Sequence, residues 1–232
     1  MRSAPSFAPL VVLAALAAGT PAGGQAQAGR VTLSPRFGTL GIGAEAAVSL
    51  SRHLAARTGF NYFSLSREEG IEGITYDLRP RLQTVPLLLD VRPTAGAFYL
   101  SGGVIINGNR AAAHGVLGDG VQIGEHDYTS AEVRSLSGRM DFRGAAPYAG
   151  LGFNGALTGS GRVGFGFEFG VMFHGRPRAR LEVASPLTGD AAAQLEADRR
   201  LEQQEIQNEL DDLPGVVAFY PVLEFGLSFR VR

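Results

Sequence analysis

The stretch VAFYPVLEFGLSFRV, residues 217–231, decides the architecture. Every odd residue in it is apolar: Val217, Phe219, Pro221, Leu223, Phe225, Leu227, Phe229 and Val231. Between them stand Ala218, Tyr220, Val222, Glu224, Gly226, Ser228 and Arg230, mostly small or polar. A period of two held this long sets one wholly apolar face against a small, polar one. A strand of that length and asymmetry suits the wall of a transmembrane β-barrel.

The same alternation recurs along the chain between turn signals. It predicts strands over 39–50, 54–66, 74–92, 97–110, 137–157, 162–184 and 216–231. Barrels of this kind carry an even number of strands. The eighth is either residues 31–37 (VTLSPRF) or a piece cut from 162–184 at residues 174–177, and loop lengths favour the first. Within 162–184 the apolar phase stays on odd residues, from Val163 to Val183, which favours one long bent strand or a three-residue loop. Residues 111–136 show no period and read as a long loop with room for a short extension strand. Residues 186–214 differ in kind: AAAQLEADRRLEQQEIQNELDD is a run of helix formers closed by Pro214-Gly215. Its apolar residues form no clean stripe, so a solvated helix is favoured over a docking one. The predicted fold is all-β: an eight-stranded antiparallel up-and-down transmembrane barrel with one helical insertion before the last strand. The short turns at 51–53, 93–96 and 158–161 are expected on the periplasmic side, with the long loop and the acidic helix outside.

The N-terminus reads as an export signal. Arg2 is followed by the apolar run 7–18 and a small-x-small site at Ala26-Gln27-Ala28, so residues 1–28 are expected to be a signal peptide and 29–232 the barrel domain. No segment has the ~18 uninterrupted apolar residues of a membrane helix. The chain has no cysteine, which excludes disulfide frameworks and thiolate chemistry. A net charge of −1 argues against nucleic acid as a partner.

Composition tells the two faces apart. An eight-stranded barrel has an interior only wide enough to be filled by side chains. Small Gly, Ala, Ser and Asn residues fit there, and the Phe-, Leu-, Val- and Ile-rich face meets lipid. Tyr62, Tyr76, Tyr99, Tyr148 and Tyr220 are expected in interfacial girdles. Isolated charges are assigned to the lumen: Glu45, Arg57, Arg79, Arg81, Glu168, Glu224 and Arg230. Charges in a narrow lumen must pair. A salt-bridged plug is favoured over a pore constriction or proton path. No catalytic, cofactor or metal site is expected. The four histidines lack metal-ligand spacing, and His114 and His126, with Asp119, Glu125 and Asp127, are ordinary for a polar loop. The Gly-x-Gly runs fall inside strands, where they cannot cradle phosphate.

These features together, with LLLDVRP…AFYLSGGVIINGN, APYAGLGF and a helical insert before YPVLEFGLSFRVR, resemble small bacterial outer-membrane β-barrels of the OmpA-membrane-domain and OmpW-like type. The resemblance covers most of 31–232. It implies location in the bacterial outer membrane, contact with its lipid, and handling by the barrel-assembly machinery. Phe229 stands three residues from the end, where such chains usually finish on an aromatic. The activities found in that group leave three readings: a non-enzymatic barrel, structural or interacting through its loops; a narrow channel for small or apolar solutes; and, disfavoured, a lipid-modifying enzyme.

Overall fold

In a computed structural model, residues 29–71, 74–94, 96–116, 120–157 and 162–231 are described. The expected signal peptide, residues 1–28, lies outside them. Eight strands close the barrel: β1 (Val31–Gly38), β2 (Gly41–Ser49), β3 (Leu54–Ser64), β5 (Ile74–Val91), β6 (Phe98–Asn107), β11 (Ala145–Ala156), β12 (Val163–Met172) and β14 (Tyr220–Arg230). Neighbours pair antiparallel in that order, and β14 returns to β1 with Phe37 opposite Phe225. The eighth strand is therefore β1, the first of the two options. The last strand begins at Tyr220, because residues 215–218 form a 3-10 turn.

Alternation places the faces as expected. Leu87, Leu89, Leu100, Ile106, Phe153, Phe169 and Leu227 are exposed on the outer wall, an apolar belt that in water would be untenable. A closed antiparallel barrel with this belt stands in the bacterial outer membrane.

The loop expected at 111–136 is instead structured. Strands β4 (Arg67–Ile71), β7 (Arg110–Val116), β10 (Ser135–Asp141) and β13 (Arg178–Ala184) carry the wall past the barrel rim. The upper half of β5 pairs with β4 and β7, β7 with β10, and β10 with β13. A small hairpin, β8 (Val121–Ile123) and β9 (His126–Tyr128), folds over this upper sheet. The strand expected at 137–157 is thus β10 and β11 in succession.

The expectation of one bent strand over 162–184 also needs correction. Residues 173–177 break it, with Gly175 at φ 74°, a left-handed value that favours glycine. Asp141 and Tyr148 are seven residues apart on one arm, while their partners Arg178 and Met172 are six apart on the other. This one-residue offset turns β13 over relative to β12. Odd residues face lipid on β12, but on β13 Ala179, Leu181 and Val183 face the lumen side, so an unbroken odd phase in sequence hides a reversal in space.

Helix α1 (Gly189–Asp212) is docked, not loosely solvated. β13 is the free edge of the upper sheet, and an open edge invites pairing with other chains. Side chains of α1 satisfy that edge: Ala179 N–H donates to Gln207 Oε1 at 3.0 Å, Leu181 N–H to Gln203 Oε1 at 3.2 Å, and Arg199 Nη1 donates to the Leu181 carbonyl at 2.8 Å. Leu195 joins Ile123, Tyr128 and Val133 in a small core. Beside it, Tyr128 Oη donates to Asp198 Oδ2 at 2.6 Å, and His126 Nδ1 stands 3.0 Å from the same oxygen. The Tyr128 bond holds the Asp198 carboxyl below its usual range, and burial pushes the Tyr128 phenol up to about 12.

Candidate functional site

The lumen is the site the sequence points to, and its side chains stack in three levels. The middle level is ionic. Arg57 reaches in from β3 and is almost wholly buried. Its Nε donates to Asp90 Oδ1 at 3.0 Å, Nη1 to Glu45 Oε2 at 2.7 Å, and Nη2 to Glu168 Oε1 at 2.6 Å and Ser101 Oγ at 2.7 Å. One guanidinium therefore ties β2, β3, β5, β6 and β12 across the barrel, using the planar fork that distinguishes arginine from lysine. Glu45 also accepts from Arg36 Nη2 at 2.7 Å. Glu168 accepts from Tyr99 Oη at 3.1 Å and Tyr148 Oη at 2.5 Å.

The glycine-rich inner face makes this possible. A Cβ on Gly152 would strike the Tyr99 ring, and one on Gly170 would strike the Tyr148 hydroxyl. The wall is thinned where the two tyrosines cross the lumen. Tyr99 and Tyr148 are 2% and 4% exposed, so they belong to the plug and not to the interfacial girdles expected of them. Tyr62 does lie on the outer face, while half-buried Tyr220 donates to the Thr39 carbonyl at the rim. The side chain of Tyr76 lies outside the described residues.

Towards the upper sheet, the next level is apolar. Leu40, Leu88, Ile105, Ala146, Tyr148, Met172 and Val222 pack together inside the barrel. Leu40 arrives from the two-residue β1–β2 turn, which folds over the lumen and leaves this side chain 1% exposed. At the opposite end, where β2–β3, β5–β6 and β11–β12 join by short turns, a cavity of about 220 Å³ opens. Arg30, Arg52, Arg92, Arg162, Arg230 and Asn154 are among its lining residues.

The seven charges expected in the lumen separate. Glu45, Arg57 and Glu168 meet in the ionic level. Glu224 is buried beside them, and among the described residues it has no ion pair and its Oε1 no hydrogen-bond partner. Arg230 stands at the vestibule. Arg79 and Arg81 are not in the lumen, which corrects that assignment. β5 keeps its register unbroken from Val91 to Thr75, so its inward residues are Asp90, Leu88 and Thr84, and odd residues face outward. Arg79 pairs there with Asp77, and Arg81 lies 5.4 Å over the Tyr62 ring. Arg36 and Asp90 were missed. Parity marks both, but Arg36 sits in a short strand beside Pro35, and Asp90 ends an apolar run that masks alternation.

The histidines scatter. His114 Nδ1 contacts Ser137 Oγ at 2.7 Å, His174 packs on Phe142, and no group of metal-ligating side chains forms among the described residues. Asp119 lies outside them.

The architecture has solved counterparts. CarO2 of Acinetobacter baumannii matches with a TM-score of 0.53 at 18% identity, covering 88% of this chain and 99% of that one. CarO of the same organism gives 0.48 at 18%, covering 90% and 100%, and a major outer membrane protein of Thermus thermophilus gives 0.41 at 13%, covering 87% and 98%. The likeness to CarO2 is one of fold. No protein-family model and no curated protein sequence matches this chain.

Proposed function

We propose that the protein is a non-enzymatic outer-membrane barrel whose lumen is a fixed plug and whose upper sheet, on the outer side of the membrane, does the interacting. We place it with the small barrels of the OmpA-membrane-domain and OmpW-like type. The observation that carries the reading is the sequence of two closures: the Arg57 network fills the lumen, and the Leu40–Met172–Val222 level lies over it. Water-filled passage requires both to part, and the charges are held by partners from five strands. No nucleophile, base and acid come together among the described residues in the way acyl transfer demands.

Planar-bilayer recording tests this. The wild-type barrel is expected to insert without unit conductance, and steady single-channel steps would overturn the plug. One observation favours a second reading, a narrow channel: an arginine-lined vestibule of about 220 Å³ opens at the lower end of the barrel. Steady steps abolished by filling the vestibule, for example with Gly164→Phe, would establish that reading. Mass analysis of lipid A from cells with and without the protein tests the lipid-modifying alternative, and no change is expected.

A further inference from the structure

The upper sheet has two unlike faces. On the lumen side lie Leu136, Leu181 and Val183, met by α1 and the β8–β9 hairpin. The outward side is basic. The register aligns Arg81, Arg110, Asp141 and Arg178 in a row directly above the lipid belt. The next row holds Arg79, Ala112, Arg139 and Arg180, and the one beyond it Asp77, His114, Ser137 and Glu182. Arg143 stands just below the first row, on the connection into β11. Rows are about 7 Å apart. Arginines therefore crowd the two rows nearest the lipid, and the acids Asp77 and Glu182 lie farthest from it.

Two pairs on this face are unfavourable as they stand. Arg81 faces Arg110, and Arg139 faces Arg180, as direct cross-strand neighbours. Their Cβ atoms are about 5 Å apart, where like charges destabilise a sheet. Asp141 does not relieve them: among the described residues, no ion pair or hydrogen bond engages the guanidinium groups of Arg110, Arg139, Arg143, Arg178 or Arg180. All but Arg110 of these five are exposed. An anion placed between such arginines accepts bidentate hydrogen bonds and removes the repulsion.

We propose that this outward arginine face binds the phosphate groups of phosphorylated lipids in the leaflet that surrounds the upper rim. The face continues the lipid belt without interruption. On β5 the outward residues run from Val91, Leu89 and Leu87 through Gln83 to Arg81 and Arg79, so an acyl chain on the belt carries its headgroup up to the arginine rows. Charge and position select the same occupant: an amphiphile with phosphate at its polar end. The proposal rests on the reading of the upper sheet as the interacting element and names its partner.

The test refolds the full chain into phosphatidylcholine vesicles carrying a small fraction of bisphosphorylated lipid A. The barrel is then extracted in detergent, and lipid A retained per barrel is measured by native mass spectrometry. Arg110→Gln/Arg139→Gln/Arg180→Gln removes one member of the Arg81–Arg110 pair and both members of the Arg139–Arg180 pair. Each arginine near a membrane surface contributes about fivefold to partitioning, so retention is expected to fall about a hundredfold. Met140→Gln, on the opposite face, leaves retention unchanged. Heat-modifiable migration in vesicles of phosphatidylcholine alone checks folding, and its loss in the wild type would count against the barrel itself. If the triple variant fails to fold, Arg139→Gln alone is measured, with a fivefold fall expected. Equal retention by folded wild type and variant, or equal retention of dephosphorylated lipid A, would overturn the proposal. Displacement of lipid A by millimolar inorganic phosphate would also overturn it, by showing a site for the free anion.

Discussion

Replacing Arg57 by methionine is the sharpest probe of the plug. The guanidinium bonds Glu45, Asp90, Glu168 and Ser101, and each of these partners is at most 6% exposed. Arg57→Met keeps the volume and removes the charge. Three carboxylates then face one another with Arg36 as their remaining cation. Breaking a buried ion pair from one side costs about 3–5 kcal/mol, because the partner is left uncompensated. That is roughly a thousandfold in the ratio of folded to unfolded barrel. Urea titration in liposomes, read by heat-modifiable migration, measures it. Adding Glu45→Gln and Glu168→Gln to Arg57→Met should recover part of the loss, since the orphaned charges go with their partner. Conductance should stay absent in Arg57→Met, because the Leu40, Met172 and Val222 level still closes the lumen. An unfolding midpoint for Arg57→Met equal to the wild type would refute the account of the network as the interior's main tie.

Phe167 packs 5.1 Å from Phe225 on the outer wall, so Phe167→Arg should cost about 2–4 kcal/mol by the same titration if it lies near the membrane midplane. Glu168→Arg, one residue away, should act through the lumen and be relieved in part by Arg57→Met. Gly170→Ala forces a Cβ into the Tyr148 hydroxyl and is expected to destabilise by about 1–3 kcal/mol. Deleting 189–212 with a short Gly-containing bridge should leave a folded barrel but expose the β13 edge, seen as lost hydrogen-exchange protection at Ala179 and Leu181 and as self-association. Helix docking should weaken in acid. Asp198 has a depressed folded pKa, so its contribution is present above the unfolded value and is lost as pH falls through the folded one. Protease cleavage of α1 should therefore rise below about pH 4 in the wild type, and Asp198→Asn should flatten that dependence.

The barrel was legible because lipid demands a strict period of two, and β12 and β14 obey it residue by residue. The upper sheet was legible only in part, because solvent makes no such demand. β7 (RAAAHGV) carries small and polar residues on both faces and reads as loop, while β10 (SLSGRMD) straddles the boundary, with its first two residues in the expected loop and the rest in the strand expected from 137. The lumen was half legible. Glu45, Arg57 and Glu168 stand out as charges on a small-residue face, but Arg79 and Arg81 share only the appearance of that pattern, since upper β5 has left the membrane. Tyr99 and Tyr148 were assigned by residue type to the interface, although each shares parity with Ser101 or Gly150. Parity was the better guide, and only the glycines opposite explain how rings of that size fit.

The offset at residues 173–177 acts as a change of reading frame between two solvents. Below it, odd positions are written for lipid. Above it, the same odd positions are written for a protein interior, and even positions carry Arg178 and Arg180 into water. One residue more or fewer in that connection leaves every amino acid of β13 intact and reverses its meaning: Leu181 and Val183 would turn outward and both arginines inward beneath the helix. A length change of a single codon there is more disruptive than most substitutions within the strand.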